Sequence, residues 1–154
     1  MKIKLSYTLF ALFILLFFSC SLKKETLFSE LDPDDTGIKF RNDLVETDDK
    51  NVLNYIYFYN GGGVAAGDLN NDGLIDLVFT GNQSDNKLYI NKGNFAFEDI
   101  SLAAGIENQH GWNTGVALID INGDGWTDIY ICRSGDTNPD NRKNLLYINN
   151  RDQT

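Results

Sequence analysis

Val64-Ala65-Ala66-Gly67-Asp68-Leu69-Asn70-Asn71-Asp72-Gly73-Leu74-Ile75-Asp76-Leu77 returns 52 residues later as Val116-Ala117-Leu118-Ile119-Asp120-Ile121-Asn122-Gly123-Asp124-Gly125-Trp126-Thr127-Asp128-Ile129. A second block repeats as well: Lys87-Leu88-Tyr89-Ile90-Asn91-Lys92-Gly93 is echoed within Asn144-Leu145-Leu146-Tyr147-Ile148-Asn149-Asn150, where Leu88-Tyr89-Ile90-Asn91 matches Leu146-Tyr147-Ile148-Asn149 at an offset of 58. The extra residues fall in a longer loop around 135–142, and loop insertion between preserved strands is how repeat proteins vary. Each copy reads as a strand, an Asp-rich turn, a strand, a polar loop and another strand; the first adds a fourth strand near Phe97 to Ile100. Four strands in about fifty residues is the size of one propeller blade. The spacing therefore predicts an all-β chain, an incomplete β-propeller of about two blades. Only 34 residues follow Asp120, so the second unit is expected to be truncated. Two blades do not close a ring, which typically takes about four to eight. The expectation is an N-terminal piece of a longer protein; the alternative is assembly with other chains.

Within each nonapeptide the oxygen-bearing side chains alternate. Asp68, Asn70, Asp72 and Asp76 hold positions 1, 3, 5 and 9, with Gly73 at position 6. Asp120, Asn122, Asp124, Asp128 and Gly125 repeat the pattern. Ca²⁺ takes roughly six to eight hard oxygen ligands, alternate side chains of a tightly curled loop converge on one point, and Gly permits the sharp turn. The carbonyls of Leu74 and Trp126 at position 7 complete each predicted set, giving two calcium sites. The closing acid comes at position 9 rather than 12 and the flanks are strand-like, which excludes an EF-hand. Zinc is disfavoured by the absence of His and Cys from the loops, and magnesium by its demand for a rigid octahedron. The competing reading is that Asp72-Gly73 and Asp124-Gly125 simply make hairpin turns. Retention of every oxygen-bearing position in both copies favours the ion.

Composition agrees with a loop-rich β chain. Among 154 residues, 17 Asp, 18 Asn and 14 Gly make up nearly a third, and these are turn formers. The 13 basic and 22 acidic residues give a net charge of −9, which argues against a nucleic-acid surface. At the N-terminus Lys2 and Lys4 precede an apolar run from Leu9 to Phe18, too short to span a bilayer and fit for a signal peptide over 1–19. Phe17-Phe18-Ser19-Cys20 resembles a bacterial lipobox, in which the Cys is acylated and becomes the new N-terminus. The alternatives are an ordinary secretory signal or an uncleaved anchor. Cleavage would leave 11 basic and 22 acidic residues, net −11, with an acyl chain on Cys20 as the sole membrane contact. The expected layout is a tether over 20–35, lead-in strands over 36–63 with Ile38-Lys39-Phe40 as one of them, a first repeat over 64–114 and a second over 115–154.

At these loops the chain resembles the FG-GAP or VCBS repeat of integrin α-like β-propellers. The string Tyr57-Phe58-Tyr59-Asn60-Gly61-Gly62-Gly63-Val64-Ala65-Ala66-Gly67-Asp68, with Asn91-Lys92-Gly93 and Phe97-Glu98-Asp99-Ile100, is similar to exported bacterial proteins of the cartilage acidic protein type. Those often carry an ASPIC/UnbV segment downstream, which this sequence does not contain. The resemblance covers about residues 36–150. It implies seven blades in an intact member, loops that bind calcium, and a surface-exposed lipoprotein of the outer membrane, on the cell-surface or periplasmic side.

Other residues carry less. Gly61-Gly62-Gly63 lacks the Lys-Ser/Thr of a phosphate loop and suits close backbone approach. His110 has no nucleophile at a recognisable spacing, and Cys132, inside the strand-like run Ile129–Cys132, reads as a buried thiol. Trp112, Trp126, Tyr57, Phe58 and Tyr59 are expected to pack between blades rather than form a sugar-stacking platform. No catalytic residue is assigned. The expected function is a non-enzymatic, calcium-stiffened module that presents loops to a protein or glycan, with adhesion as the theme. The alternative is a scaffold within a propeller enzyme acting on polysaccharide. RNA binding is physically poor at this charge.

Overall fold

The computed structural model describes residues 26–107, 111–136 and 138–152. The signal peptide, Cys20 and His110 lie outside the described residues. The chain divides into two compact units, Met1–Glu30 and Leu31–Thr154. In the first, the Thr26 hydroxyl donates to the Phe28 carbonyl at 2.5 Å.

Two antiparallel meanders make up the second unit. The first sheet runs β1 (Val64–Gly67), β2 (Asp76–Phe79), β3 (Lys87–Asn91) and β4 (Phe97–Asp99), each strand paired with the next. The second runs β5 (Trp112–Ile119), β6 (Asp128–Ser134) and β7 (Leu145–Tyr147). The repeat extends to register: Gly67 pairs with Asp76 in one sheet and Ile119 with Asp128 in the other. Both Asp-rich turns therefore close the same hairpin, and the position-9 carboxylate is the first residue of the returning strand. The longer loop of the second copy contains a 3₁₀ turn, Pro139–Arg142.

The two sheets share one apolar core. Leu69, Val78, Leu88, Ile90, Ile106, Ile129 and Ile131 are its buried residues, with Ile100, Val116, Leu118, Leu145 and Tyr147 packed against them. Burial of each such side chain contributes about 1.5–3 kcal/mol against chain entropy. After β4 a tight turn, in which the Ile106 N–H donates to the Ser101 carbonyl at 3.1 Å, delivers Ile106 to the core. Between the sheets, β1 lies beside β5. A β-carbon on Gly62 would sit 1.8 Å from the Thr80 carbonyl oxygen, and one on Gly63 2.7 Å from that of Thr114. The glycine run thus permits the close approach expected of it. Thr80 completes the seam: its hydroxyl accepts the Gly63 N–H at 2.6 Å and donates to the Thr114 carbonyl.

The lead-in differs from expectation. Among residues 36–63 there is no ladder strand, Ile38-Lys39-Phe40 included. The segment is held instead by side chains. Phe40 stacks on Phe79 with centroids 5.0 Å apart, and the Lys39 N–H donates to the Tyr89 hydroxyl at 3.2 Å. The Gln83 amide both accepts from and donates to the Val45 backbone, at 2.6 and 3.1 Å. Asn42 and Asn82 exchange a similar pair at 2.7 and 2.9 Å. Side-chain amides mimic the peptide group, so they satisfy an extended segment without a strand partner. Before it, Asp32-Pro33-Asp34-Asp35-Thr36-Gly37 forms one helical turn, α1 (Pro33–Thr36), capped by Asp32 and closed by Gly37 at φ 78°. Farther along, Tyr55 and Phe58 pack on the buried Trp112 at centroid distances of 5.4 and 5.1 Å. Tyr57 and Tyr59 remain exposed.

Candidate metal centre

The first turn is wired by its own backbone. Asp68 accepts from the Asp72 N–H (3.2 Å) and the Gly73 N–H (2.9 Å), and Asn70 Oδ1 accepts from the same Asp72 N–H (3.1 Å). Asp72 Oδ1 accepts from the Leu74 N–H at 2.8 Å. The second turn repeats these bonds. Asp120 accepts from Asp124 (3.0 Å) and Gly125 (2.8 Å), Asn122 from Asp124 (3.0 Å), and Asp124 from Trp126 (2.9 Å). Left-handed residues at positions 4 and 6 make the curl possible: Asn71 and Gly73 at φ 58° and 85°, Gly123 and Gly125 at 74° and 84°.

Position 9 is set apart by burial. Asp76 is 0% exposed and Asp128 1%. Asp76 accepts from the Leu69 N–H and the Asn91 N–H, both at 2.8 Å. Asp128 accepts from the Ile121 N–H at 3.1 Å and the Asn149 N–H at 2.8 Å. Asp76 thus ties its turn to the end of β3, and Asp128 ties its own to the chain just past β7. Burial holds the Asp76 carboxyl above its ordinary range; the N–H groups of Asn91 and Leu69 pull it down, and Asp72 and Asp68 add to the rise.

Asn91 and Asn149 are the residues that sequence reasoning missed. The Asn91 side chain donates to the Ile75 carbonyl (2.9 Å), and that of Asn149 to the Thr127 carbonyl (3.1 Å), so each clamps the returning limb of its turn. Their shared place in the Tyr-Ile-Asn block was visible as a repeat, but the clamp depends on a fold that brings the block back to the turn. The two turns are also joined to each other. Asn71 Nδ2 donates to the Gly125 carbonyl at 3.4 Å, and Asn149 Nδ2 to the Leu69 carbonyl at 2.7 Å.

One difference breaks the symmetry. Arg151 Nη2 lies 2.8 Å from Asp124 Oδ2, whereas the first copy has Gly93 in that place. The guanidinium, then the Trp126 N–H, hold the Asp124 carboxyl below its ordinary range. Trp126 is half-buried and lines a cleft with Ile90, Ile129 and Tyr147, while Leu74 is partly exposed. Cys132 is half-buried in β6 rather than fully enclosed.

Among the described residues no three acids, His or Cys gather as closely as a bound ion would draw them. The carboxylates of both turns accept backbone N–H groups. The donor set still fits a hard cation. It is all oxygen, Asp68 and Asn70 already meet at one N–H, and a carboxylate oxygen accepting one N–H keeps a second lone pair.

Comparison with known proteins picks out the same stretch. Residues 68–131 match the FG-GAP-like repeat. The match begins on the first residue of the first turn and ends in β6, just past the second, so the matched stretch runs from turn to turn. Cartilage acidic protein 1 of Xenopus tropicalis is 38% identical over 72 residues, which is 46% of this chain and 11% of that protein. The Mus musculus protein of that name is 36% identical over 69 residues, 45% of this chain and 11% of its own length. The Homo sapiens protein is 36% identical over 72 residues, with 46% and 11% covered. The chain thus aligns with about a ninth of each of these relatives.

Proposed function

We propose that this chain is a calcium-binding β-propeller module of an exported protein, with no catalytic role, presenting its loops to a protein or glycan partner. One ion is held by Asp68, Asn70, Asp72, Asp76 and the Leu74 carbonyl, and the other by Asp120, Asn122, Asp124, Asp128 and the Trp126 carbonyl. The observation that carries this reading is the recurrence of the turn's hydrogen bonds, residue for residue, in both copies. A hairpin needs Asp-Gly and nothing more, whereas here three further oxygen-bearing positions keep both identity and orientation. Calcium supplies rigidity: it neutralises acids that otherwise repel and locks each hairpin against the third strand. Exported proteins meet calcium at levels that fill even sites of order 10⁻⁴ to 10⁻³ M. Further blades complete the ring, and acyl groups on Cys20 hold the protein to an outer membrane. No helix among the described residues is long and apolar enough to cross a membrane.

The test is thermal unfolding with calcium and with chelator. An ion at a hundredfold excess over its dissociation constant stabilises by about 2.7 kcal/mol per site. The melting temperature should therefore fall by several degrees or more on chelation, and superimposable curves would overturn the proposal.

A further inference from the structure

We propose that Arg151 is a tethered counter-cation of the second turn, which occupies Asp124 when calcium is absent and must yield when it binds, so that the two sites fill in order. This rests on the calcium reading above and deepens it, because it makes two sites of matching sequence unequal.

The position of Arg151 is built by the fold. After β3 and after β7 the chain makes the same turn. The Gly93 N–H donates to Asn91 Oδ1 at 2.8 Å, and the Arg151 N–H to Asn149 Oδ1 at 2.8 Å. Both residues are left-handed, Gly93 at φ 84° and Arg151 at φ 69°. That conformation suits Gly and is strained for a residue with a β-carbon. In the first copy no side chain leaves this point. In the second a guanidinium does, and it reaches the position-5 carboxylate with the side chains of Arg151 and Asp124 53% and 24% exposed. Lys92, the residue after Asn91, acts on Asp72 and Asp76 from a distance but makes its direct contact with Glu98, at 2.7 Å. Asp72 Oδ2 meets only the neutral Asn70 amide, at 2.9 Å, among the hydrogen bonds of its own turn.

The consequences follow from charge. In the first turn Asp68 and Asp72 lie within electrostatic reach of Asp76, and Lys92 acts on Asp72 and Asp76 only from a distance while paired with Glu98, so a divalent ion removes repulsion and displaces no cation from direct contact with the turn. In the second, Asp124 already has a positive partner. A calcium ion binding there must displace the guanidinium or share an oxygen with it, and like charges at that range repel. The first turn therefore loads first. The second keeps more of its shape in the metal-free protein and loads at higher calcium.

The experiment is calorimetric titration of the full, demetallated chain with calcium chloride, for wild type, Arg151→Gly and Arg151→Gln. Gly reproduces the first copy and relieves the left-handed strain, while Gln keeps length and removes charge. Wild type should show two unequal steps, and both variants should tighten the weaker step by about three- to tenfold. Asp72→Asn should abolish the tighter step and leave the weaker, which assigns each step to its turn. Melting in chelator is the second readout: Arg151→Gln should lower the midpoint of the metal-free protein, and Arg151→Gln added to Asp124→Asn should lower it no further. Equal steps in wild type, or unequal steps unchanged in both variants, would overturn the role of Arg151 while the calcium reading stood. No heat of uptake at millimolar calcium in any of the proteins would overturn both.

Discussion

Asp76 and Asp72 differ by four positions and are the same residue type, yet they do different work. Asp76 is enclosed and bonded to the N–H groups of Leu69 and Asn91, while Asp72 bonds neighbours within its own exposed turn. Removing a buried acceptor strands its donors at about 1–3 kcal/mol each. Asp76→Ala is therefore expected to cost about 2–5 kcal/mol even in chelator, measured by urea unfolding. Asp72→Ala should change the chelated protein by less than about 1 kcal/mol and abolish most of one site's calcium-dependent stabilisation. Equal losses from the two variants in chelator would contradict the division of labour. The alternation of Asp and Asn was legible in the sequence because it is local. The clamp on Asp76 was not, because its partner Asn91 is brought in by a strand pairing rather than by spacing.

At the scale of elements, the hairpin of β3 and β4 carries a charge cluster that fastens the β4 edge of the first sheet. Lys87 pairs with Asp99 at 3.1 Å and with Glu107. Burial alone would raise the Asp99 carboxyl, but the Ser101 hydroxyl and N–H and the Lys87 ammonium hold it below its ordinary range. For Lys87, burial works downward and is outweighed by Glu107 and Asp99, so its ammonium is held up. The signs follow. Stability from Asp99 is present above the unfolded carboxylate value, about 3.9, and is lost as pH falls through the lower folded value. Stability from Lys87 is present below about 10.4 and is lost as pH rises through its higher folded value. Lys87→Met should therefore cost most near neutrality and least in acid, where the protonated partners no longer pair, as read from urea midpoints at falling pH. The side chains of Lys87 and Asp99 are 26% and 37% exposed, so the effect is expected to stay under about 1 kcal/mol. A gap between the two proteins that is constant with pH would refute it. The strands themselves were readable from their apolar alternation. The lead-in was misread as strand because Ile38-Lys39-Phe40 alternates too, and only the side-chain amides of Asn82 and Gln83 reveal that no ladder receives it.

Across the whole unit, two sheets are joined by a shared core and by a buried polar seam. Asn82 donates to the carbonyls of Gly61 (3.1 Å) and Asn113 (2.7 Å) while pairing with Asn42, so one side chain links the lead-in, the first sheet and the second. Asn113 answers by donating to the Gly81 carbonyl at 3.0 Å. Asn82→Ala leaves several buried groups unpaired and should cost about 2–4 kcal/mol in chemical denaturation, while the calcium steps at the far end persist. A neutral substitution would show that the seam is dispensable. The sequence by itself determined the repeat, the strand and turn order within it, and the oxygen-rich turns, because each is written in residues a few positions apart with the period of a strand or the curl of a loop. The tertiary structure alone decided which carboxylates are buried, that Asn91 and Asn149 brace the turns, that the two turns touch, and that Arg151 leans on one of them. Those facts depend on pairing and packing between residues far apart in the chain, where spacing carries no information and only the folded path brings the partners within reach.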